Sequence, residues 1–159
     1  MTVLAIDPGP VQSAYVLWDG ETLHQHAKTS NEVIRAKLIM HGDNYGVVVI
    51  EQIASYGMPV GAEVFETVHW AGRFFEVCSG VVDGHAQRMP RKDVKLHLCH
   101  SPRANDATIR QALIDRFGGK DKAIGKKATP GPLYGLKADT WAAFALAVTW
   151  FDQHGKGSV

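Results

Sequence analysis

Three acidic residues, Asp7, Glu51 and Asp139, stand where the sequence pattern predicts the ends of structural elements. Asp7 closes the short apolar run 2–7 and is followed at once by Pro8-Gly9. Leu4 and Ile6 lie two apart, as on one face of a pleated strand, and Pro8 cannot donate to a continuing ladder. Glu51 ends a run of four β-branched apolar residues, Val47 to Ile50, of the kind buried on both faces of a sheet. Asp139 heads an alanine-rich helical stretch, where free amides favour a carboxylate. Each acid alone also fits a structural role: a turn former, an ion-pair partner, a helix cap. Together they fit a chemical one. Three carboxylates sharing a cleft repel unless divalent cations lie between them. Oxygen-only ligand sets suit Mg²⁺ or Mn²⁺, and two such ions about 3.5–4 Å apart can activate water and stabilise the leaving oxygen of a phosphodiester.

The elements that must hold these acids span the chain. Residues 12–19 form a second strand, Asp19-Gly20 a hairpin turn, and residues 23–28 the returning strand. Ser30 or Asn31 caps a helix to about Met40, with Val33, Ile34, Lys37 and Leu38 on a partly buried face. After the strand 45–52 and a flexible turn at 54–61, a long core helix covers 62–79. Its stripe is Val64, Val68, Ala71, Phe75 and Cys78, broadened by Trp70 and Phe74, and residues 80–83 end it. A short fifth strand follows at 85–88, then a basic helix with Pro90 in its first position. Asn105 or Asp106 starts a helix to Phe117, with Ile109, Leu113 and Phe117 inward. Residues 118–137 read as a mobile basic loop exposing Lys120, Lys122, Lys126 and Lys127. The last helix covers 138–151, with Trp141, Ala145 and Val148 on one face.

A chain of 159 residues, 45% apolar and 9% aromatic, is expected to form one globular domain, 1–159. No apolar run approaches the ~20 residues of a membrane span, and the N-terminus lacks the features of a secretory signal. Cys78 and Cys99 read as reduced thiols of a cytoplasmic protein, and no Cys/His spacing suggests structural zinc. The net charge of +1 conceals an asymmetry. Residues 1–90 hold five Lys/Arg against ten Asp/Glu, whereas residues 91–137 hold eleven against four. A basic segment of this kind is either a polyanion-facing surface or a solvated loop.

At this point the chain resembles a known family. Ile6-Asp7-Pro8-Gly9 and Ile50-Glu51-Gln52 look, in order, like the first two motifs of RuvC-like Holliday junction resolvases. The stretch from Ala138 to Trp150 is similar to their last motif, Asp-Ala-x-Asp-Ala-Leu-Ala. The likeness covers nearly the whole chain and is nearest to short resolvase-like proteins of phages and prophages. It implies an α/β, ribonuclease-H-like fold: a mixed five-stranded sheet, three antiparallel N-terminal strands plus parallel strands, flanked by helices. It further implies a homodimer in the bacterial cytoplasm that resolves branched DNA with Mg²⁺ or Mn²⁺, two ions per site. Asp7, Glu51 and Asp139 are then the metal ligands. The likeness includes Val94-Lys95 and 101–113, where the family carries basic junction-binding residues, and Lys92, Lys95, Arg103 and Arg110 are the candidate phosphate contacts. Tyr56, the only aromatic residue between Glu51 and Phe65, is either a probe of the opened junction or turn packing.

One departure stands out. Ungapped alignment puts Ala142 where the family has a fourth acid or a histidine, and Asp106 near a position usually held by lysine. Asp106 is therefore either a replacement carboxylate or only a helix start. If the site has decayed, the alternative function is a catalytically weakened module that still binds junctions. A sugar-kinase or actin-like ATPase core also opens with an Asp-x-Gly strand, but the short chain and the lack of a second such lobe argue against it.

Overall fold

The computed structural model describes residues 1–80 and 85–155. Its centre is a five-stranded sheet built from β1 (Val3–Asp7), β2 (Gln12–Trp18), β3 (Leu23–Ser30), β4 (Val47–Gln52) and β5 (Ala86–Pro90), in the order β3-β2-β1-β4-β5. The first three strands pair antiparallel, and β4 and β5 join in parallel. Helices cover both faces. α1 (Asn31–His41) and α2 (Ala62–Ser79) lie on one; α3 (Arg91–Cys99), α4 (Asp106–Arg116) and α6 (Thr140–His154) lie on the other.

The period of two along each strand sorts the core into two halves. Leu4, Ile6, Val48 and Ile50 pack with Ile34, Leu38, Trp70, Phe74 and Cys78 of α1 and α2. Val3, Ala5, Val47 and Val49 face the other way, toward Phe144, Ala147 and Val148 of α6 and Leu113 of α4. Asp7 and Glu51 continue this second set, so both carboxylates leave the sheet on the α6 side. Pairing Ile6 with Ile50 puts the next residues of β1 and β4, Asp7 and Glu51, side by side at the ends of parallel strands.

A buried polar net holds the turn after Asp7. The Gly9 amide donates to Ser13 Oγ at 3.0 Å, the Ser13 hydroxyl donates to Asn31 Oδ1 at 2.6 Å, and Asn31 Nδ2 donates to the Gly9 carbonyl at 2.9 Å. A Cβ on Gly9 would lie 2.1 Å from the Gln12 carbonyl oxygen, so only glycine fits. Asn31 thus straps the loop that ends β1 to the start of α1. Asn31→Ala is expected to cost about 2–3 kcal/mol, because it strands buried donors and acceptors. Urea unfolding measures this, and a change within about 0.5 kcal/mol would show the strap to be idle.

Several elements depart from the sequence expectations for physical reasons. In α2 the buried residues are Trp70, Phe74 and Cys78, while Val68 and Phe65 are exposed. Residues 62–69 of this helix include no buried side chain, so it is not core along its whole length. The helix stops at Gly80; the rest of the expected stop, 81–83, lies outside the described residues. Val33 is likewise exposed on α1. Pro90 ends β5 and is the N-cap of α3, one position earlier than expected. Residues 118–137, read as a loop, include the single-turn α5 (Lys120–Ala123) and a two-residue ribbon, β6 (Gly125–Lys126) with β7 (Thr129–Pro130). Ala123 and Leu133 anchor this stretch in the core. α6 is buried all round from Ala143 to Trp150, beyond the single face that its spacing suggested.

Candidate active site

Above the ends of β1 and β4 lies a cleft of about 350 Å³, lined by Asp7, Glu51, Asp106 and Asp139 together with Arg91, Arg110, Trp141 and Ala142. Four elements supply the acids: β1, β4, the first turn of α4 and the entry to α6. Asn105 caps α4, its Oδ1 accepting from the Thr108 amide at 2.9 Å, which leaves the Asp106 carboxylate at the helix start free for another partner. The entry to α6 is tighter. Ala138 adopts a left-handed φ of 47°, and Thr140 Oγ1 clamps the turn by accepting from the Lys137 amide and donating to the Lys137 carbonyl. Asp139 occupies the N-cap position, yet its side chain makes no cap bond. The expectation that helix amides hold this carboxylate is corrected: it receives Lys28 Nζ at 2.6 Å instead.

Lys28 reaches that position through sheet register. Asp7 pairs with Ala14 on β2, and Ala14 with Lys28 on β3, so all three share one face and the small Ala14 leaves room between them. On the other side, β5 aligns Met89 with Glu51, and the chain enters α3 two residues later at Arg91. The Arg91 guanidinium bonds Asp106 and stands 3.6 Å from Glu51 Oε1. Neither Lys28 nor Arg91 was singled out from the sequence. The strand pairing 14–28 held the signal for the first, and the adjacency of β5 to β4 held it for the second.

Electrostatics single out Asp7. It is hydrogen-bonded to Glu51, and its pKa is raised from 3.8 to about 9, first by burial, then by that hydrogen bond and by the charges of Glu51 and Asp139, with Arg91 opposing. A carboxyl in a poorly solvated place beside other carboxylates favours its neutral form. Asp7 and Glu51 form an oxygen donor set in want of a cation, which is the chemistry of a Mg²⁺ or Mn²⁺ ligand pair. Among the described residues, no three His, Cys, Asp or Glu groups are drawn together tightly enough to hold a metal ion. Lys28 and Arg91 each pair with a carboxylate that lines the cleft.

The basic residues expected at DNA divide by position. Arg110 lines the cleft, its guanidinium 5.2 Å from the ring centre of Trp141. Lys92 and Arg103 are exposed and Lys95 is half-buried, and none of the three lines the cleft. Tyr56 is exposed in the segment between β4 and α2.

Three antiparallel strands leading into two parallel ones, with helices on both faces, define the chain as a ribonuclease-H-like α/β fold of the RuvC type. Two solved structures share it. A structure of Thermus thermophilus RuvC matches with a TM-score of 0.66 at 18% identity, covering 98% of this chain and 97% of that one. T. thermophilus RuvC in complex with Holliday junction substrate matches at 0.65 and 17% identity, covering 98% and 96%. No family model matches the sequence, and no curated protein does. Among the described residues, no helix is long and apolar enough to cross a membrane.

Proposed function

We propose that this chain is a metal-dependent endonuclease that cleaves phosphodiester bonds in branched DNA, as a Holliday junction resolvase does. The observation that carries the reading is the contact between Asp7 and Glu51 in a cleft that Asp139 also lines, on a fold shared with RuvC. The Asp7 carboxyl lies against Glu51 and is driven toward its neutral form by burial and by the neighbouring acids, with Arg91 opposing only in part.

Asp7, Glu51 and Asp139 would hold the ions. Mg²⁺ or Mn²⁺ bound there would supply a water of lowered pKa and neutralise charge on the phosphodiester. The chain's own groups do the rest. Asp7 gives up its proton when the ligand set forms, and Lys28 releases Asp139. Lys92, Lys95, Arg103 and Arg110 carry positive charge on and around α3 and α4, on the side of the sheet where the cleft opens, and would follow the DNA backbone. Tyr56, exposed beyond the end of β4, would stack on an unpaired base at the opened junction. The reading includes a homodimer, for which the exposed Phe65 and Val68 offer apolar surface on α2, and membership of the phage and prophage branch.

The test is cleavage of a synthetic four-way junction. Product is expected with Mg²⁺ or Mn²⁺ and none in excess EDTA; cleavage that persists in EDTA would overturn the metal-carboxylate reading. Ala142, which brings a methyl group to the cleft, favours one other outcome, tight junction binding without turnover by a weakened module.

A further inference from the structure

Arg91 is the cation nearest the paired acids, and nothing so far gives it a task. Its guanidinium is about one-third exposed, bonds Asp106 and stands 3.6 Å from Glu51. Asp106 is itself 82% exposed, so this ion pair stands in water, where its contribution to stability is small. A bond of little structural worth that fixes a long side chain at the mouth of an acidic cleft has another use. A guanidinium is a planar fork with five donors. One edge can stay on a carboxylate while the other meets a second anion, and phosphate matches that edge in two parallel bonds. Glu51, at 3.6 Å, lies beyond a good hydrogen bond, so the edge facing the cleft is weakly engaged.

On the nuclease reading above, we propose that Arg91 contacts the DNA phosphate that enters the cleft, and that Asp106 is the positioning residue that aims it. This assigns Asp106 differently from a replacement for the acid missing at Ala142. The Asp106 side chain is 82% exposed, against 51% for Asp139 and 11% for Glu51, and its carboxylate is turned onto a guanidinium at the edge of the acidic cluster. The same geometry offsets the like charges in the cleft. Four acids line it, and a fixed positive group in front of them eases the approach of a DNA backbone.

The experiment compares Arg91→Gln, Arg91→Lys, Asp106→Asn and the Arg91→Gln/Asp106→Asn pair with the unmodified protein. Fluorescence anisotropy measures four-way junction binding in EDTA across a salt series, and calorimetry measures Mn²⁺ binding without DNA. Arg91→Gln is expected to weaken junction binding about tenfold and to reduce the salt slope by about one. Asp106→Asn should weaken junction binding by a similar factor and Mn²⁺ binding by less than threefold. The double variant should be no worse than Arg91→Gln, because the two residues act as one unit. Arg91→Lys should restore the salt slope and only part of the affinity, since an ammonium lacks the fork. Junction affinity unchanged in Arg91→Gln, with the unmodified protein still cleaving, would overturn the inference and leave the nuclease reading standing. Loss of Mn²⁺ binding by tenfold or more in Asp106→Asn would return Asp106 to the metal site. An unmodified protein that neither binds nor cleaves the junction would remove both.

Discussion

Asp7→Asn is expected to lower junction cleavage by about a thousandfold or more and, in EDTA, to raise thermal stability. The two effects have one cause. Asp7 is partly buried beside Glu51 and Asp139, which raise its pKa to about 9, so at neutral pH its protonated form is favoured in the metal-free fold. An asparagine has the same shape and donates a hydrogen bond to Glu51 as the protonated acid does, without having to take up a proton on folding. At pH 7.5 the gain is about 1–3 kcal/mol after the cleft relaxes, or roughly 3–8 °C in Tm for a chain of this size. For metal binding, the amide has lost the charge that makes Asp7 a ligand, and losing one charged ligand of a two-ion site removes most of its stabilisation of the reacting phosphate. A melting scan in EDTA and a timed junction digest in Mg²⁺ measure the pair. A lowered Tm would mean that the Asp7 carboxylate is part of a stabilising ion pair. Retained cleavage would mean that the ions sit elsewhere. A site that opposes the stability of its own fold is what selection for function leaves behind.

The main features of this arrangement were legible because strands announce themselves by composition and position. Four β-branched residues before Glu51 and a Pro-Gly break after Asp7 are strong local signals, and the alternation along β1 and β4 sends both acids to one face. Asp139 was legible as the start of α6, but not its partner. Lys28 is 111 residues away in sequence, and only the row Asp7-Ala14-Lys28 across three strands brings it close. Arg91 stayed hidden among the basic residues of α3, because its importance comes from β5 lying beside β4. The segment 118–137 shows a different limit. Gly, Pro and Lys dominate its sequence, yet Ala123, Leu133 and Leu136 are buried in the core, and a few scattered apolar residues in a polar run carry no periodic signal. α2 failed as a single stripe for the converse reason. Its apolar spacing continues into the N-terminal half, where Val68, part of the expected stripe, is exposed.

Mn²⁺ binding to the DNA-free protein is expected to tighten about tenfold for each pH unit between roughly pH 6 and 8. A metal ligand must be deprotonated, and Asp7 holds its proton to about pH 9. Below that pH each binding event must expel the proton, so the apparent affinity falls in step with the ionised fraction; above it the dependence flattens. Calorimetry in two buffers of different ionisation heat should find close to one proton released at pH 7 and almost none above pH 9. Folding stability has the sign that follows from the same group. The unfolded chain gives up this proton near pH 3.8 and the metal-free fold near pH 9. Asp7's contribution is therefore complete below about pH 4 and is lost progressively as pH rises to 9, by at most about 1.4 kcal/mol per unit. Saturating Mn²⁺ should flatten this slope, because the bound fold and the unfolded chain then both carry Asp7 ionised over the range. An affinity independent of pH would show that the ion bypasses Asp7, and a stability slope unchanged by Mn²⁺ would show that it does not bind in the cleft at all.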